Sequence, residues 1–256
     1  MKPYMSEMKK SWEDEYAISF YEVDTKNEVF LPILWSFMQE TAWHHADHLK
    51  VGYSDLAEHN SFWALSRLFI QMDEYPRWGD KIRVKTWLAG MGRLFALRHF
   101  SIANPKGEII GTAKSAWLVL DLKSRRPQRV EPLFRKILYL LDQEADMEEP
   151  EKISAPVPSE RGDFFPVRYS DIDMHHHVNN TKYIEWVLDR YPYEMNQTHH
   201  IHTLEINFLA ESSHGDEISV HTEPVENSPL TFLHSVFRKN DGRELCRARV
   251  SWKRID

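Results

Sequence analysis

Hydrophobic and polar residues follow two different periods along this chain, and each period predicts one type of element. The segment ELCRARVSWKR alternates, so one face of a predicted strand carries Cys246, Ala248, Val250 and Trp252, and the other carries Arg247, Arg249, Ser251 and Lys253. In LPILWSFMQETAWHHADHL, the apolar positions recur at helical spacing and form a stripe of Leu34, Met38, Thr41, Ala42, His45 and Leu49. NTKYIEWVLDRY, residues 180–191, predicts a second helix of the same kind.

The chain contains this arrangement twice. FALRHFSIANPKGEIIGTAKSAWLVLD, from Phe95, is similar to FLHSVFRKNDGRELCRARVSWKRID, from Phe232, and Gly107 and Gly242 match at an offset of 135. Upstream, RWGDKIRVKTW lies over SHGDEISVHTE at an offset of 136. NPKGE and KNDGR are typical hairpin turns between consecutive strands. Several blocks that recur in one order indicate an internal duplication.

The duplication predicts an α+β fold in which two similar halves pack as a pseudo-symmetric pair. Each half has one helix that lies against several antiparallel strands. We expect a first domain over residues 1–135, a linker over 136–159 that is acidic and then proline-containing, and a second domain over 160–256.

Composition and charge narrow the function classes. The 256 residues carry a net charge of −7, which argues against general binding to nucleic acid or to anionic membranes. No apolar run has the length of a membrane span, and the N-terminal stretch lacks the apolar segment of a secretory signal, so we expect a cytoplasmic protein. The single cysteine, Cys246, excludes an internal disulfide, and its place on an apolar strand face predicts a buried side chain rather than a nucleophile. No Gly-x-Ser-x-Gly motif supports serine chemistry.

The segment DIDMHHHVNNTKYIEW carries the residues with the most chemistry. It aligns with EVDTKNEVFLPILWSF of the first repeat, which places Asp173 over Asp24, His175 over Lys26, and His177 over Glu28. Only the second repeat keeps a histidine-rich loop. We therefore expect at most one site of this type in the chain.

The residues of this loop leave three functions open. Asp173, His175 and His177 alternate, and two imidazoles with a carboxylate are a legitimate metal ligand set. The same groups suit acid–base chemistry, because histidine titrates near neutrality and the helix start at Asn179 and Asn180 offers free N–H groups to a carbonyl oxygen that gains negative charge. The third reading is a capped polar turn without chemistry. We expect His176 to lie at the surface, and the histidines at 44, 45 and 48 to be ordinary helix residues.

The motifs together resemble the acyl-acyl carrier protein thioesterase family. They are DMHHHVNNTKYIEW in the second half and, in the first half, EVFLPILWSFMQETAWHHAD, FWALSRL, EYPRWGDKIRVKTW, LFALRHF and SAWLVLD. The resemblance extends from about Tyr16 to Trp252. It implies a double hotdog fold, in which each of two tandem domains has a long helix wrapped by an antiparallel sheet.

The resemblance implies that Asp173, His177 and Glu211 occupy catalytic positions, with His175 as a secondary candidate. His175 stands where plant relatives carry asparagine, and Ser212 where they carry cysteine, so a cysteine-nucleophile mechanism does not apply. We expect Asp173 or Glu211 to activate water or to attack directly. His177 is expected to orient a carboxylate or to protonate the leaving thiolate. The N–H groups from Val178 through Asn179 to Asn180 are expected to polarise the thioester carbonyl.

The implied reaction is hydrolysis of fatty acyl thioesters of acyl carrier protein, in fatty acid biosynthesis. No cofactor and no metal are expected, because a thioester is already activated. Trp63 and Phe69 of FWALSRLF are candidates to line an apolar tunnel in the first domain. The acidic carrier protein is expected to dock on LKSRRPQR, residues 122–129, or on the stripe of Arg247, Arg249 and Lys253. We expect no nucleic-acid or membrane partner, and a monomer or a homodimer.

Three other functions share these residues. The first is a thioesterase that prefers coenzyme A esters, which uses the same chemistry. The second is a hotdog dehydratase, which also uses histidine and a carboxylate but yields an unsaturated thioester. The third is an acyl-binding protein without catalysis, which the departures at His175 and Ser212 keep open.

Overall fold

The structure, a computed structural model, describes residues 8–130, 134–141, 149–154 and 163–255. Its frame is one sheet of ten strands: β1 (Ser11–Ala17), β2 (Ser61–Met72), β3 (Lys81–Met91), β4 (Phe95–Ala103), β5 (Ile109–Asp121), β6 (Phe165–Pro166), β7 (His199–Phe208), β8 (Glu217–Val225), β9 (Ser228–Arg238) and β10 (Glu244–Arg254). The helices are α1 (Leu31–His48), α2 (Tyr53–Glu58), α3 (Asn180–Leu188) and α4 (Tyr193–Thr198).

The strand order shows the duplication directly. The sheet runs β1-β3-β4-β5-β2-β7-β10-β9-β8-β6, and all neighbouring strands are antiparallel. From the centre outwards, each strand of the first half has its counterpart at the same place in the second half. The halves join where β2 pairs with β7, with Arg67 opposite Asn207. This arrangement confirms the α+β fold with two repeated halves.

The repeated glycine turns also have the same geometry. Gly79 and Gly215 both take positive φ angles, of 87° and 88°, which is the left-handed region that favours glycine. In the first turn the Asp80 carboxylate accepts the Arg77 N–H at 2.8 Å. In the second turn the Asp216 carboxylate accepts the N–H of the equivalent residue at 3.0 Å. The two turns therefore have equivalent hydrogen bonds as well as similar sequences.

Helix α1 is the long helix of the first half and buries its predicted stripe. All six predicted positions are buried: Leu34, Met38, Thr41, Ala42, His45 and Leu49. The equivalent helix α3 begins at a cap, because the Asn179 side chain accepts the Thr181 N–H at 3.0 Å. It ends at Leu188 rather than at Tyr191, since the Arg190 and Tyr191 N–H groups donate to the tighter turn acceptors Val187 O and Leu188 O. No described helix has both the length and the apolar character needed to cross a lipid bilayer.

A single core joins the halves under α1 and α3. Trp35 of α1 is fully buried, and its Nε1 donates to Asn180 Oδ1 at 2.8 Å. Asn180 in turn donates from Nδ2 to Gln39 Oε1 at 2.7 Å. The first turn of α3 is thus fastened to the middle of α1, which fixes the histidine loop that precedes α3 relative to the first half.

A second apolar cluster lies in the first half, around the C-terminal end of α1. Its members are Ala46, Leu49, Val51, Leu56, Leu88, Ala96, Val119, Val130, Phe134, Ile137 and Leu140, with Trp63 and Met91 at its border. Ile137 and Leu140 belong to the segment that the sequence assigns to a linker, so the start of that segment packs into the first half.

Further along, the same segment crosses the central strands. The Asn207 side chain accepts the Ile153 N–H at 2.8 Å and donates to Glu151 O at 2.9 Å. Residues 142–148 and 155–159 of the predicted linker lie outside the described residues. The parts on either side of residues 142–148 therefore contact both halves of the molecule.

Candidate active site

The histidine loop is a tight turn between the isolated bridge partners Ile172 and Val178. The Asp173 N–H donates to His177 O at 2.8 Å, and the His176 N–H donates to Asp173 O at 3.1 Å. His176 is exposed and takes a left-handed φ of 63°, so its side chain points to solvent as expected. Asp173 Oδ1 accepts the N–H groups of His175, at 2.8 Å, and of His177, at 3.4 Å. One carboxylate oxygen of Asp173 therefore fixes the shape of the loop.

The first half contains the same loop with different side chains. Asp24 Oδ1 accepts the N–H groups of Lys26 and Glu28 at 2.8 and 3.0 Å. Lys26 Nζ lies 3.4 Å from a carboxylate oxygen of each of these two acidic residues and donates to His199 O at 2.8 Å. The charges of the first loop thus pair with one another, whereas the second loop has imidazoles at the places of Lys26 and Glu28.

His177 meets two charged side chains at the boundary of the halves. Arg125 Nη2 lies 2.5 Å from His177 Nε2 and 3.0 Å from Glu211 Oε2. His177 Nε2 is also 3.7 Å from the same Glu211 oxygen. Because a guanidinium only donates, His177 Nε2 accepts, and the ring proton is assigned to Nδ1. Nδ1 is buried and has no hydrogen-bond partner in the described part of the chain.

Arg125 reaches this place from the turn that follows β5 in the first half. Its backbone is left-handed, with a φ of 57°, and its N–H donates to Asp121 O at 2.9 Å. Its guanidinium lies over the Phe62 ring, with 4.8 Å between Cζ and the ring centroid. The pKa of Asp121 is lowered, chiefly by hydrogen bonds from the Ser124 N–H and hydroxyl, which hold the turn in shape. The first half therefore supplies a cation to the site.

Glu211 stands on a braced backbone but has an accessible carboxylate. Its carbonyl accepts from Arg238 Nη1 at 3.3 Å. The next residue, Ser212, is buried, and its hydroxyl donates to Asp216 Oδ2 at 2.8 Å. The Ser212 carbonyl accepts the Val178 N–H at 2.9 Å, which ties the Glu211 segment to the histidine loop. The Glu211 side chain is 47% exposed, so water reaches it.

His175 lies apart from His177. Its ring lies 5.1 Å from that of Tyr53 on α2, a side chain that is 43% exposed. His177 instead faces Arg125 and Glu211. Within the described ranges, no three His, Cys, Asp or Glu side chains converge as a metal ligand set. His175 belongs to the rim of the site.

Models of known protein families match nearly the whole chain. Residues 9–138 match the family model for the acyl-ACP thioesterase N-terminal domain, and residues 156–254 match the model for the C-terminal domain. The chain belongs to the acyl-ACP thioesterase family. It is a thioester hydrolase, and the double hotdog fold is confirmed.

Solved structures and curated relatives agree with the assignment of this chain to the thioesterase family. An acyl-ACP thioesterase from Bacteroides thetaiotaomicron is 32% identical, with a TM-score of 0.85 over 95% of this chain and 98% of that one. The 12:0-ACP thioesterase from Umbellularia californica has the same fold, with a TM-score of 0.85 over 96% and 98% of the two chains at 22% identity. The chloroplastic oleoyl-acyl carrier protein thioesterase 1 of Arabidopsis thaliana is 27% identical over 95% of this chain and 76% of its own length.

Two of the N–H groups expected to polarise the substrate carbonyl already donate hydrogen bonds to backbone carbonyls of this thioesterase. The Val178 N–H donates to Ser212 O, and the Asn179 N–H donates to Asp171 O at 2.9 Å. The first half contains the same two bonds, from Val29 to Pro76 O and from Phe30 to Glu22 O, so they belong to the scaffold. The expectation for Val178 and Asn179 is therefore wrong. The Asn180 N–H has no acceptor among the described contacts, and its side chain is turned towards α1.

The two aromatic residues expected in a tunnel lie on different faces of β2. Trp63 packs against Phe134, with ring centroids 5.2 Å apart, and its Nε1 donates to Val51 O at 2.9 Å. A bulge between Leu65 and Arg67 shifts the alternation, so that Leu68 and Ile70 face the core and Phe69 faces away from it. Phe69 therefore does not share a face with Trp63, because a single bulge reverses the face of every later residue.

Arg125 is the residue that sequence reasoning assigned to a different role. The sequence places it in a cationic run, whereas the structure places it against His177 and Glu211. The second proposed docking stripe is largely neutralised, because Arg247 pairs with Glu244 at 2.6 Å, and Arg249 pairs with Glu205 and, at 2.6 Å, with Glu151. The site is therefore composite, with a carboxylate and an imidazole from the second half and a cation from the first.

Proposed function

We propose that this thioesterase hydrolyses fatty acyl-acyl carrier protein to free fatty acid and carrier thiol, at a single site built on His177 and Glu211. The observation that carries the proposal is the distance of 3.7 Å between His177 Nε2 and Glu211 Oε2. The Glu211 carboxylate is accessible to water, and the surrounding fold is that of the thioesterase family. An imidazole beside an accessible carboxylate supplies the kinds of group that acid–base hydrolysis of a thioester uses.

The geometry favours Glu211 over Asp173 as the group that activates water. Asp173 Oδ1 accepts hydrogen bonds from two loop N–H groups. Asp24 accepts the equivalent bonds in a loop that has no histidine. Glu211 is about half exposed and is adjacent to His177. We assign Asp173 a positioning role, in which it holds the backbone of His177.

The proposed reaction balances with these two groups. Glu211 removes a proton from water, and the water oxygen forms a bond to the thioester carbon. The tetrahedral intermediate then collapses, the carbon–sulfur bond breaks, and the proton on Glu211 is transferred to the thiolate. His177 orients the carboxylate through Arg125, whose Nη2 donates to both His177 Nε2 and Glu211 Oε2. Ser212 takes no part, because its buried hydroxyl already donates to Asp216.

The proposal also assigns a different role to each half of the molecule. The first domain, residues 1–135, receives the acyl chain, the segment 136–159 links the domains, and the second domain, residues 160–256, carries the catalytic pair. A half-open cavity of about 500 Å³ beside the second apolar cluster is the candidate place for the chain; it is lined by Met91, Gly92, Arg93 and Arg129 of the first domain and by Leu138 and Leu141 of the linker segment. Trp63 and Met91 both border that cluster.

The first test is a series of saturated acyl thioesters from eight to eighteen carbons, presented on acyl carrier protein and on coenzyme A. Free fatty acid is measured by mass spectrometry. We expect acid release to favour the carrier protein and to peak at one chain length. Preference for coenzyme A would make the protein an acyl-CoA thioesterase, an unsaturated thioester would indicate a dehydratase, and bound acyl groups without release would indicate an acyl-binding protein.

A further inference from the structure

Arg125 is a positive charge that the first half delivers into the catalytic pair of the second half. Three contacts fix its guanidinium: the Phe62 ring on one side, and His177 and Glu211 on the other. The side chain is 40% exposed, so a bound molecule can reach it. A guanidinium carries five N–H donors, and the contacts described for Arg125 involve Nη2 alone.

Hydrolysis of a thioester needs a donor for the carbonyl oxygen, which becomes an oxyanion when water adds to the carbon. The loop N–H groups of Val178 and Asn179 do not meet this need, since they donate to Ser212 O and Asp171 O. Arg125 Nη2 lies 3.0 Å from the carboxylate that activates the water. A carbonyl carbon attacked by that water therefore has its oxygen within reach of the same guanidinium.

We propose that Arg125 is a catalytic residue, which donates to the thioester carbonyl oxygen and stabilises the oxyanion. This inference rests on the proposed function and adds a residue to it. When water adds, the carbonyl π electrons move onto the oxygen, and Arg125 N–H groups hold that charge. When the C=O bond re-forms, sulfur leaves with the electron pair of the carbon–sulfur bond. Arg125 exchanges no proton in either step.

The position of Arg125 also explains why the site needs both halves. The loop of the first half has its charge balanced locally by Lys26, which pairs with Asp24 and Glu28. The loop of the second half has no lysine of its own at the equivalent place, and its cation arrives from the other domain. Catalysis at His177 then depends on the turn after β5 and on its support by Phe62.

The test compares Arg125→Gln with Arg126→Gln, a neighbouring arginine that is exposed and makes no ion pair within the described residues. Both full-length variants are assayed with acyl-acyl carrier protein and with the acyl thioester of N-acetylcysteamine, which has the reacting carbonyl but neither phosphate nor carrier protein. We expect Arg125→Gln to lower kcat by about 10²–10³-fold on both substrates. Arg126→Gln should leave kcat on the small thioester unchanged.

A binding measurement separates catalysis from mere structure. A pantetheine trifluoromethyl ketone, which forms a tetrahedral adduct, should lose about 10²-fold in affinity for Arg125→Gln, whereas an acyl pantetheine thioether, which has no carbonyl, should bind as to the wild type. Thermal unfolding checks the fold, and Arg125→Lys, which keeps the charge, provides a second variant with partial activity. Wild-type kcat of Arg125→Gln on the small thioester would overturn the inference and make Arg125 a docking residue. Failure of the wild type on every thioester would instead refute the proposed function.

Discussion

Asp24 and Asp173 hold equivalent loops in the two halves of the molecule by the same hydrogen bonds, although only Asp173 precedes histidines. Each aspartate accepts two loop N–H groups through Oδ1. The pair offers an internal control that separates loop structure from chemistry. It also shows that duplication preserved the backbone of the loop while the functional side chains diverged.

The first prediction concerns Asp173→Ala. Without the acceptor, the N–H groups of His175 and His177 lose their anchor, and the His177 ring no longer faces Glu211. We expect kcat to fall by about 10²-fold or more. Asp24→Ala removes the equivalent acceptor from the first loop and should cost about 1 kcal/mol of stability with kcat retained. Equal loss of kcat in both variants would show that loop stability, rather than the site, is measured. Acyl release by the wild type but not by Asp173→Asn would further exclude a binding protein without catalysis.

The second prediction separates Glu211 from Ser212. Glu211→Gln keeps the size of the side chain and an oxygen that accepts from Arg125, but it cannot take a proton from water. We expect kcat to fall by about 10²–10⁴-fold with KM little changed. Ser212→Ala loses only the bond to Asp216, so stability should drop by about 1 kcal/mol while kcat is retained. An active Glu211→Gln variant would transfer the role of base to Asp173.

The fold follows from the sequence, because periodicity and the repeat constrain local structure strongly, whereas Glu211 is a candidate only through the family resemblance. The stripe on α1 and the alternation in β10 are observed as predicted, with Cys246, Ala248, Val250 and Trp252 all buried. Burial also raises the pKa of the Cys246 thiol, in keeping with an inert side chain. These features depend on neighbours in sequence, which a single chain displays.

The features that sequence reasoning missed depend on register and on long-range contacts. The bulge between Leu65 and Arg67 leaves no pattern that distinguishes it from a regular strand, yet it decides the face of Phe69. Arg125 meets His177 only because the turn after β5 reaches across the boundary of the halves. A cationic run in sequence does not show which of its members faces inwards.

The third prediction uses the bulge in β2 as a control for the acyl site. Trp63→Ala removes a large ring from the border of the second apolar cluster, whereas Phe69→Ala removes one from the opposite face of the same strand. We expect Trp63→Ala to shift the preferred acyl chain to greater length, because the space it leaves admits more methylene groups. Phe69→Ala should keep the wild-type profile. The readout is relative kcat/KM across the acyl series, and an unchanged profile for Trp63→Ala would place the acyl chain elsewhere.

The fourth prediction concerns acid stability. Burial, with a smaller effect of Arg190, lowers the pKa of His234 to about 3. Neutral His234 lies 2.7 Å from the Tyr191 hydroxyl and 3.0 Å from that of Thr222. A depressed pKa means that the unfolded chain binds the proton more readily, since its histidine titrates near 6.5. Stability from this group is therefore fully present above pH 6.5 and is lost as the pH falls towards 3.

This loss should contribute a slope of up to about 1.4 kcal/mol per pH unit to the free energy of unfolding. Urea titrations between pH 7.5 and 4.5 measure it. His234→Gln should have a shallower slope whatever its stability at neutral pH, and His176→Gln, at an exposed position, should keep the slope of the wild type. His45 adds to the same trend, because burial and then the nearby Arg98 lower its pKa to about 4. A slope unaffected by His234→Gln would assign the acid sensitivity to other groups.

The fifth prediction concerns docking of the acidic carrier protein. Lys123, Arg126 and Arg129 are exposed, and no carboxylate of the described residues pairs with them at ion-pair distance. They lie in the same run as Arg125, so a partner bound there would present its acyl group to the site. The double variant Lys123→Glu and Arg126→Glu should raise KM for acyl-acyl carrier protein by about tenfold and weaken its dependence on salt, since rim charges act mainly on association.

The matched control for that surface is Lys253→Glu with Arg254→Glu, which makes the same change of net charge on exposed residues at the end of β10. It should leave KM for the carrier-protein substrate close to that of the wild type. Neither double variant should change kcat/KM for the N-acetylcysteamine thioester, because that substrate has no carrier to dock. Equal effects of the two variants on the carrier-protein substrate would mean that the net charge of the protein, rather than the run beside Arg125, governs the encounter.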